Sequence, residues 1–271
     1  MIQRAILCPR CKRIIGSEET VCSWCGTSRS SSWWRIMSWS RGAMDGAWLI
    51  KAIITVNVLF FAFSLVVSTN IMGSGGFLSP GQGSLLLLGA TGTYPIDQLG
   101  RYWTLVSANY LHGGILHIIF NLMALNQLAP KVIGEYGSSR MFSIYAIGGV
   151  IGYVVSYMAG VPFTIGASAA VCSLIGALLY YGKSRGGAYG GALYREVSGW
   201  VVSLFLFGLI FPGINNWGHG GGILGGIIVA ALIGYSEKRR ENNFDHTLAL
   251  LCGLVTISIL CWAIISAYFY G

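Results

Sequence analysis

Seven apolar runs divide the chain, near residues 48–68, 111–130, 141–159, 166–183, 198–213, 219–236 and 247–270. A helix crosses a bilayer in about 20 residues. Several runs are shorter than that, yet the repeated pattern predicts seven membrane-spanning helices and an all-α bundle. The fifth and sixth runs meet at "FPGINNWGHGGG" (211–222), where proline and clustered glycine predict a tight turn. A long glycine-rich connection, residues 69–110, separates the first two runs and carries its own apolar patch, "SLLLLGA". Residues 1–27 are polar. Residues 28–47, "SRSSSWWRIMSWSRGAMDGA", read either as a flexible linker or as an interfacial segment, since Trp33, Trp34, Trp39, Arg35 and Arg41 suit the membrane–water boundary. The pattern therefore divides the chain into a small N-terminal domain (1–27), a basic aromatic linker (28–47), a six-span core (48–236), and a loop with a seventh span (237–271).

Composition agrees with the pattern. Of 271 residues, 54% are hydrophobic and only 10% charged, and the mean hydropathy is +0.65. Soluble domains carry about 25% charged residues, so the chain reads as a polytopic membrane protein. The net charge of +8 is explained by loop placement, and no nucleic-acid partner is expected. With a cytosolic N-terminus, the inner segments hold Lys131 and Arg140, then Lys183, Arg185 and Arg195, then Lys238, Arg239 and Arg240. The outer segments hold Arg101 alone. This bias predicts an N-terminus inside, a C-terminus outside, and Ser168 and His219 both at the outer level of the membrane. The first apolar run lies behind a cysteine-bearing segment, which predicts a retained N-terminus rather than a cleaved leader.

That segment has its own chemistry. Cys8, Cys11, Cys22 and Cys25 form C-x2-C-x10-C-x2-C, two thiolate pairs spaced to hold one tetrahedral Zn2+. About 27 polar residues have too little core to fold unaided, so the metal would be structural and would supply the stability. Two disulfides would suit an oxidising location rather than the cytosol.

Inside the spans, ionisable residues are costly and mark function by default. His112, His117 and His219 lie at the outer ends of spans, and His117 and Asn121, four apart, share a helix face. Three readings fit: a three-histidine zinc site, which lacks an acidic general base; polar residues satisfied at a water-filled cavity; or Ser168 and His219 as nucleophile and base. Asp97 is the only acid in the outer segments, so a serine–histidine pair here would be a dyad without a carboxylate. Small residues at Ser168, Cys172 and Gly176, and at Gly222 and Gly226 beyond His219, form two stripes on which helices can approach closely.

Together, "LGRYWTLVSANYLHGGILHIIFNL" (99–122), "GASA" (166–169) and "HGGGILGG" (219–226) resemble the rhomboid family of intramembrane serine proteases over about residues 48–236. The resemblance implies a nucleophilic Ser168, a general base at His219, and an oxyanion hole made by Asn121, His117 and the Ser168 amide. It also implies a loop-holding role for His112, a loop-motif role for Trp103, and close backbone approach at Gly166, Gly222 and Gly226. Catalysis would need no cofactor. The substrates would be single-span or multi-span membrane proteins cut within the lipid bilayer of a prokaryotic inner membrane, and the zinc ribbon could engage a cytosolic partner. Thr104 follows Trp103 where the family often has arginine, Ala169 stands for a second glycine, and Cys172 stands where the family often has tyrosine. A catalytically silent binder of transmembrane clients is the alternative. A channel or transporter would instead call for charged residues or broken-helix pairs along the spans.

Overall fold

The computed structural model describes residues 5–8, 14–16, 18–28, 46–71, 78–211 and 213–270. The chain divides into two compact units, Met1–Leu49 and Ile50–Gly271. In the first, β1 (Ala5–Leu7) and β2 (Ile14–Gly16) pair antiparallel, with Ile6 opposite Ile15. Cys8, Ile15 and Cys22 form its buried centre, so thiols take the place of a larger apolar core.

The second unit is a helical bundle. Its long helices are α1 (Ala47–Ile71), α4 (Ile115–Tyr136), α5 (Ser138–Met158), α6 (Ser168–Arg185), α7 (Gly187–Ile210), α8 (Asn216–Ile233) and α9 (Asn243–Tyr270). All but α6 are long and apolar enough to cross a membrane. The chain is an integral, multi-pass membrane protein. Helix α6 is the exception for a physical reason: every residue from Ala169 to Leu178 is buried. A helix enclosed by other helices needs no lipid-compatible surface and can carry "YYGKSR" at its end. Helix α7 is the opposite case. Its buried residues are Gly190, Leu193 and Val197, all in its first half, while Val202, Phe205, Leu206, Leu209 and Ile210 are exposed. It also begins well before the apolar run that signals it. The charged stretch around Arg195 and Glu196 is helical, and Glu196 pairs with Lys131 of α4.

The 69–110 connection is folded rather than extended where it is described. It contains α2 (Gln82–Leu87), a wide helical turn over Tyr94–Gln98, α3 (Thr104–Ser107) and a tight turn over Ala108–Tyr110. Leu85, Leu88, Ala90, Thr91 and Ile96 of the connection are buried. Polar bonds hold its turns: Ser107 Oγ donates to Gly89 O at 2.8 Å, Arg101 Nη1 donates to Leu86 O at 3.1 Å, and the Thr104 and Thr91 hydroxyls are hydrogen-bonded at 3.0 Å. Trp103 lies over Gly89, where no side chain would fit.

Helix α9 is fastened at its first turn. Arg140 of α5 is fully buried and donates to Asp245 Oδ2 at 3.0 Å, Arg239 O at 2.8 Å and Arg240 O at 3.0 Å. Arg239 donates to the other oxygen of Asp245 at 2.8 Å, and the Asn242 amide donates to Asp245 Oδ2 at 2.9 Å. The sequence pattern counts Arg140 as a loop cation, but the structure uses it as a buried tether. Removing one partner of such a pair strands a charge, at a cost of about 3–5 kcal/mol, whereas removing both is far milder. Asp245→Leu should therefore lower the thermal midpoint of the purified protein sharply, because it strands the buried Arg140, and adding Arg140→Met should restore part of the loss.

Candidate functional site

Ser168, His219, His117 and Asn121 come from α6, α8 and α4, and all four lie at the bundle end opposite the Arg140 tether. Ser168 is the first residue of α6 and is half-buried. Within that helix the first amide to find a partner is Val171 N–H, which donates to Ala167 O at 2.8 Å. The amides of Ser168, Ala169 and Ala170 therefore point out of the helix end, where the helix dipole favours negative charge. The preceding turn is set by Gly166, at φ +128°. Its amide donates to Ala108 O at 2.9 Å, and its carbonyl accepts from the buried Tyr153 hydroxyl at 2.5 Å.

Gly166 also leaves space. A Cβ there would lie 2.7 Å from His117 Nε2 and 3.6 Å from Ser168 Oγ. The His117 ring thus packs directly against Gly166, on the side where the Ser168 hydroxyl also lies. His117 Nδ1 accepts from the Gly113 amide at 3.3 Å. A neutral ring that accepts at Nδ1 carries its proton on Nε2, so the N–H of His117 is on the side of Gly166 and Ser168. Asn121 donates one Nδ2 hydrogen to His117 O at 2.9 Å and is buried one helical turn below His117. His112 is fully buried in the loop before α4, with its ring edge-on to His117 at 5.1 Å between centroids.

Contact between α6 and α8 is made backbone to backbone. A Cβ on Gly222 would strike the carbonyl of Ala169 and sit 3.1 Å from Cys172 Cβ; one on Gly226 would strike the carbonyl of Ser173. Gly176 meets Ile223 O of α8 in the same way. The seam on α6 thus runs through Ala169, Cys172, Ser173 and Gly176, which leaves Ser168 at its mouth. Helix α5 joins the contact with residues the sequence pattern does not single out: a Cβ on Gly152 would lie 2.8 Å from Gly218 O and 3.0 Å from Gly222 N. Cys172 is buried against Gly222, one turn below His219, where a bulky ring would have to displace α8.

His219 lies in the first turn of α8 and is half-buried, and its Nδ1 is buried without a hydrogen-bond partner. Among the described residues no carboxylate bonds to it; Asp97 instead accepts from Tyr157 OH at 2.7 Å. The hydrogen bonds of the described residues include none between Ser168 and His219. Hydrogen bonds of this type are often long in substrate-free sites and tighten on binding. The three-histidine zinc arrangement is not formed. Among the described residues, the ligand atoms that gather closely enough for a metal are those of Cys8, Cys22 and Cys25, all within 4.8 Å of one another.

Cys8 Sγ and Cys25 Sγ are 3.6 Å apart, far from a disulfide length of about 2.05 Å and close to the separation of about 3.8 Å expected for two thiolates on one tetrahedral zinc with bonds of about 2.3 Å. The Thr27 hydroxyl, 3.2 Å from Cys25 Sγ, and the Thr27 amide pull the Cys25 thiol down to about 6, toward the thiolate a metal needs. Cys11 lies outside the described residues.

A residue with no motif of its own completes the site. Asn215 caps α8, accepting the Gly218 amide at 2.9 Å, and donates to Ser156 Oγ at 2.7 Å and Thr164 Oγ1 at 2.9 Å. A polar residue before a glycine-flanked helix start is the ordinary signal of such a cap; its two further bonds leave no trace in the sequence.

Residues 99–236 match the Rhomboid domain family. The chain is 32% identical over 180 residues to rhomboid protease GluP of Bacillus subtilis, covering 66% of this chain and 35% of that protein. It is 31% identical over 182 residues to RHOMBOID-like protein 9, chloroplastic, of Arabidopsis thaliana, covering 66% and 40% respectively. With RHOMBOID-like protein 5 of the same plant it shares 26% identity over 215 residues, covering 69% and 68%.

The glycine contact sets a clear expectation. A Cβ at Gly222 meets a carbonyl that cannot move aside, so Gly222→Ala should push α6 and α8 apart. The overpacking should cost about 1–3 kcal/mol, read as a fall in the thermal midpoint that is larger than for alanine at Gly220, where the space is open.

Proposed function

Since the chain belongs to the rhomboid family, we propose that it is an intramembrane serine endopeptidase acting through Ser168 and His219 on transmembrane segments of other proteins. The observation that carries this reading is the convergence at the mouth of the α6–α8 contact. Ser168 stands on outward-pointing amides, His117 directs an N–H toward the Gly166 side where Ser168 Oγ lies, and His219 is one turn above the glycine that touches Ala169.

The reaction follows from these positions. His219 takes the Ser168 proton as Oγ attacks the substrate carbonyl. The negative charge that develops on the carbonyl oxygen is met by the Ser168 amide, His117 Nε2–H and the remaining Asn121 Nδ2 hydrogen. His219 then protonates the leaving amine, and water hydrolyses the acyl-enzyme with the same imidazole as base. With no carboxylate, the ring of His219 is oriented by packing in the glycine seam. Structural Zn2+ held by Cys8, Cys22 and Cys25, with Cys11 as the fourth thiolate, would stabilise the N-terminal unit and take no part in the reaction. The excess of Lys and Arg in alternate loops supports a cytoplasmic N-terminus.

Purified protein should cleave a model transmembrane substrate. Ser168→Ala and His219→Ala should each reduce cleavage to background with an unchanged thermal midpoint, and Asn121→Ala should lower kcat on the order of 10²–10³-fold. Undiminished cleavage by Ser168→Ala would exclude the dyad, and absence of cleavage by the wild type across a substrate panel would favour the silent binder. Chelation should release one metal per chain and change the emission of Trp24 in the N-terminal unit, while proteolysis by the core continues.

A further inference from the structure

Asn215 connects the two segments that carry Ser168 and His219. It lies four residues before His219 and immediately before α8. One of its donor partners, Thr164, lies four residues before Ser168; the other, Ser156, is in the last turn of α5. Both partners are buried. The amide orientation is fixed by chemistry: Gly218 N–H can only donate, so the atom facing it must be Oδ1, and Nδ2 must face the two hydroxyls. All three contacts are short, at 2.7, 2.9 and 2.9 Å, so both Nδ2 hydrogens and one lone pair of Oδ1 are engaged.

Thr164 is in turn locked to the 69–110 connection. Its amide donates to Thr91 O at 2.7 Å, its carbonyl accepts from Thr91 N–H at 3.0 Å, and the Thr91 and Thr104 hydroxyls are hydrogen-bonded to each other. A continuous polar chain therefore runs from the N-terminus of α8, through the loop before α6, to the turn after Trp103. The glycine seam fixes the distance between α6 and α8 but leaves them able to slide along each other, because glycine presents no side chain to interlock. Asn215 supplies the missing restraint along the helix axes.

We propose that Asn215 is a positioning residue: through Thr164 and Ser156 it sets the axial register of α8 against the loop before α6, and so holds His219 level with Ser168. This rests on the Ser168–His219 reading given above. Misplacement of a reacting group by about 1 Å can cost on the order of 10²-fold in rate, so losing the clamp should act on the chemical step.

The test uses full-length protein, a fluorophosphonate that reacts with activated serine, and a model transmembrane substrate. The labelling amplitude counts folded sites, and the labelling rate reads the geometry. Asn215→Ala should keep the amplitude while lowering the labelling rate and kcat together, by about 10- to 100-fold, with KM little changed. Asn215→Asp keeps the cap and can accept from both hydroxyls once they turn to donate, so it should recover most of the rate; the similarly sized Asn215→Leu should not. If Asn215→Ala does not fold, Thr164→Val and Ser156→Ala each remove one clamp bond and should each lower the rate by a smaller factor. Wild-type labelling rate and kcat in Asn215→Ala, or reduced amplitude at an unchanged rate, would overturn the positioning role. Labelling of Ser168→Ala at the wild-type rate would overturn the nucleophile assignment beneath it; unlabelled Ser168→Ala beside wild-type rates in Asn215→Ala would overturn only the positioning role.

Discussion

Direct backbone contact between α6 and α8 is the constraint on which the rest of the core depends. Gly222 and Gly226 allow α8 to lie against the carbonyls of Ala169 and Ser173, closer than any side chain would permit. In lipid the hydrophobic effect does not drive helices together, so dispersion and close approach must do so. That contact encloses α6 and frees it from any need for a lipid-facing surface. It also brings the first turns of two helices to one level.

Around this contact, polar bonds perform what apolar packing cannot. Helix surfaces rich in glycine and alanine are smooth, and smoothness permits sliding. The bonds of Asn215, Thr164 and Thr91 at one end, and of Arg140, Asp245 and Arg239 at the other, fix positions along the helix axes. The 69–110 connection is held in the same manner. Its buried leucines give it weight against the bundle, and the Thr91–Thr164 bridge gives it register. Helix α7 has little buried surface beyond its first half, where Gly190, Leu193 and Val197 are enclosed.

Much of this architecture is legible in the sequence, because membrane helices announce themselves by apolar length and because the residues around Ser168, His219, His117 and Asn121 form short recognisable motifs. The rest is hidden for identifiable reasons. The early start of α7 is missed because a helix that projects beyond the apolar layer may be charged. The α5 glycines look like ordinary small residues until a third helix is laid against them. Arg140 reads as a loop cation because its counter-ion lies 105 residues away, beyond any local pattern. Cys172, set apart in sequence by the tyrosine it replaces, proves to face Gly222, where small size is what the packing requires.

The Arg140 tether also imposes an order on biosynthesis. Arg140 enters the membrane with α5, but Asp245 is made 105 residues later. At translation rates of about 5–20 residues per second, the guanidinium waits roughly 5–20 s for its partner. During that interval the nascent bundle carries a cation that must remain near water or lipid phosphate, which keeps the α4–α5 turn at the membrane surface. Synthesis of the segment from Arg239 to Asp245 then supplies the carbonyls and the carboxylate that pair the charge. A ribosome that stalls before residue 245 leaves behind a membrane protein with an exposed basic mark of its own incompleteness.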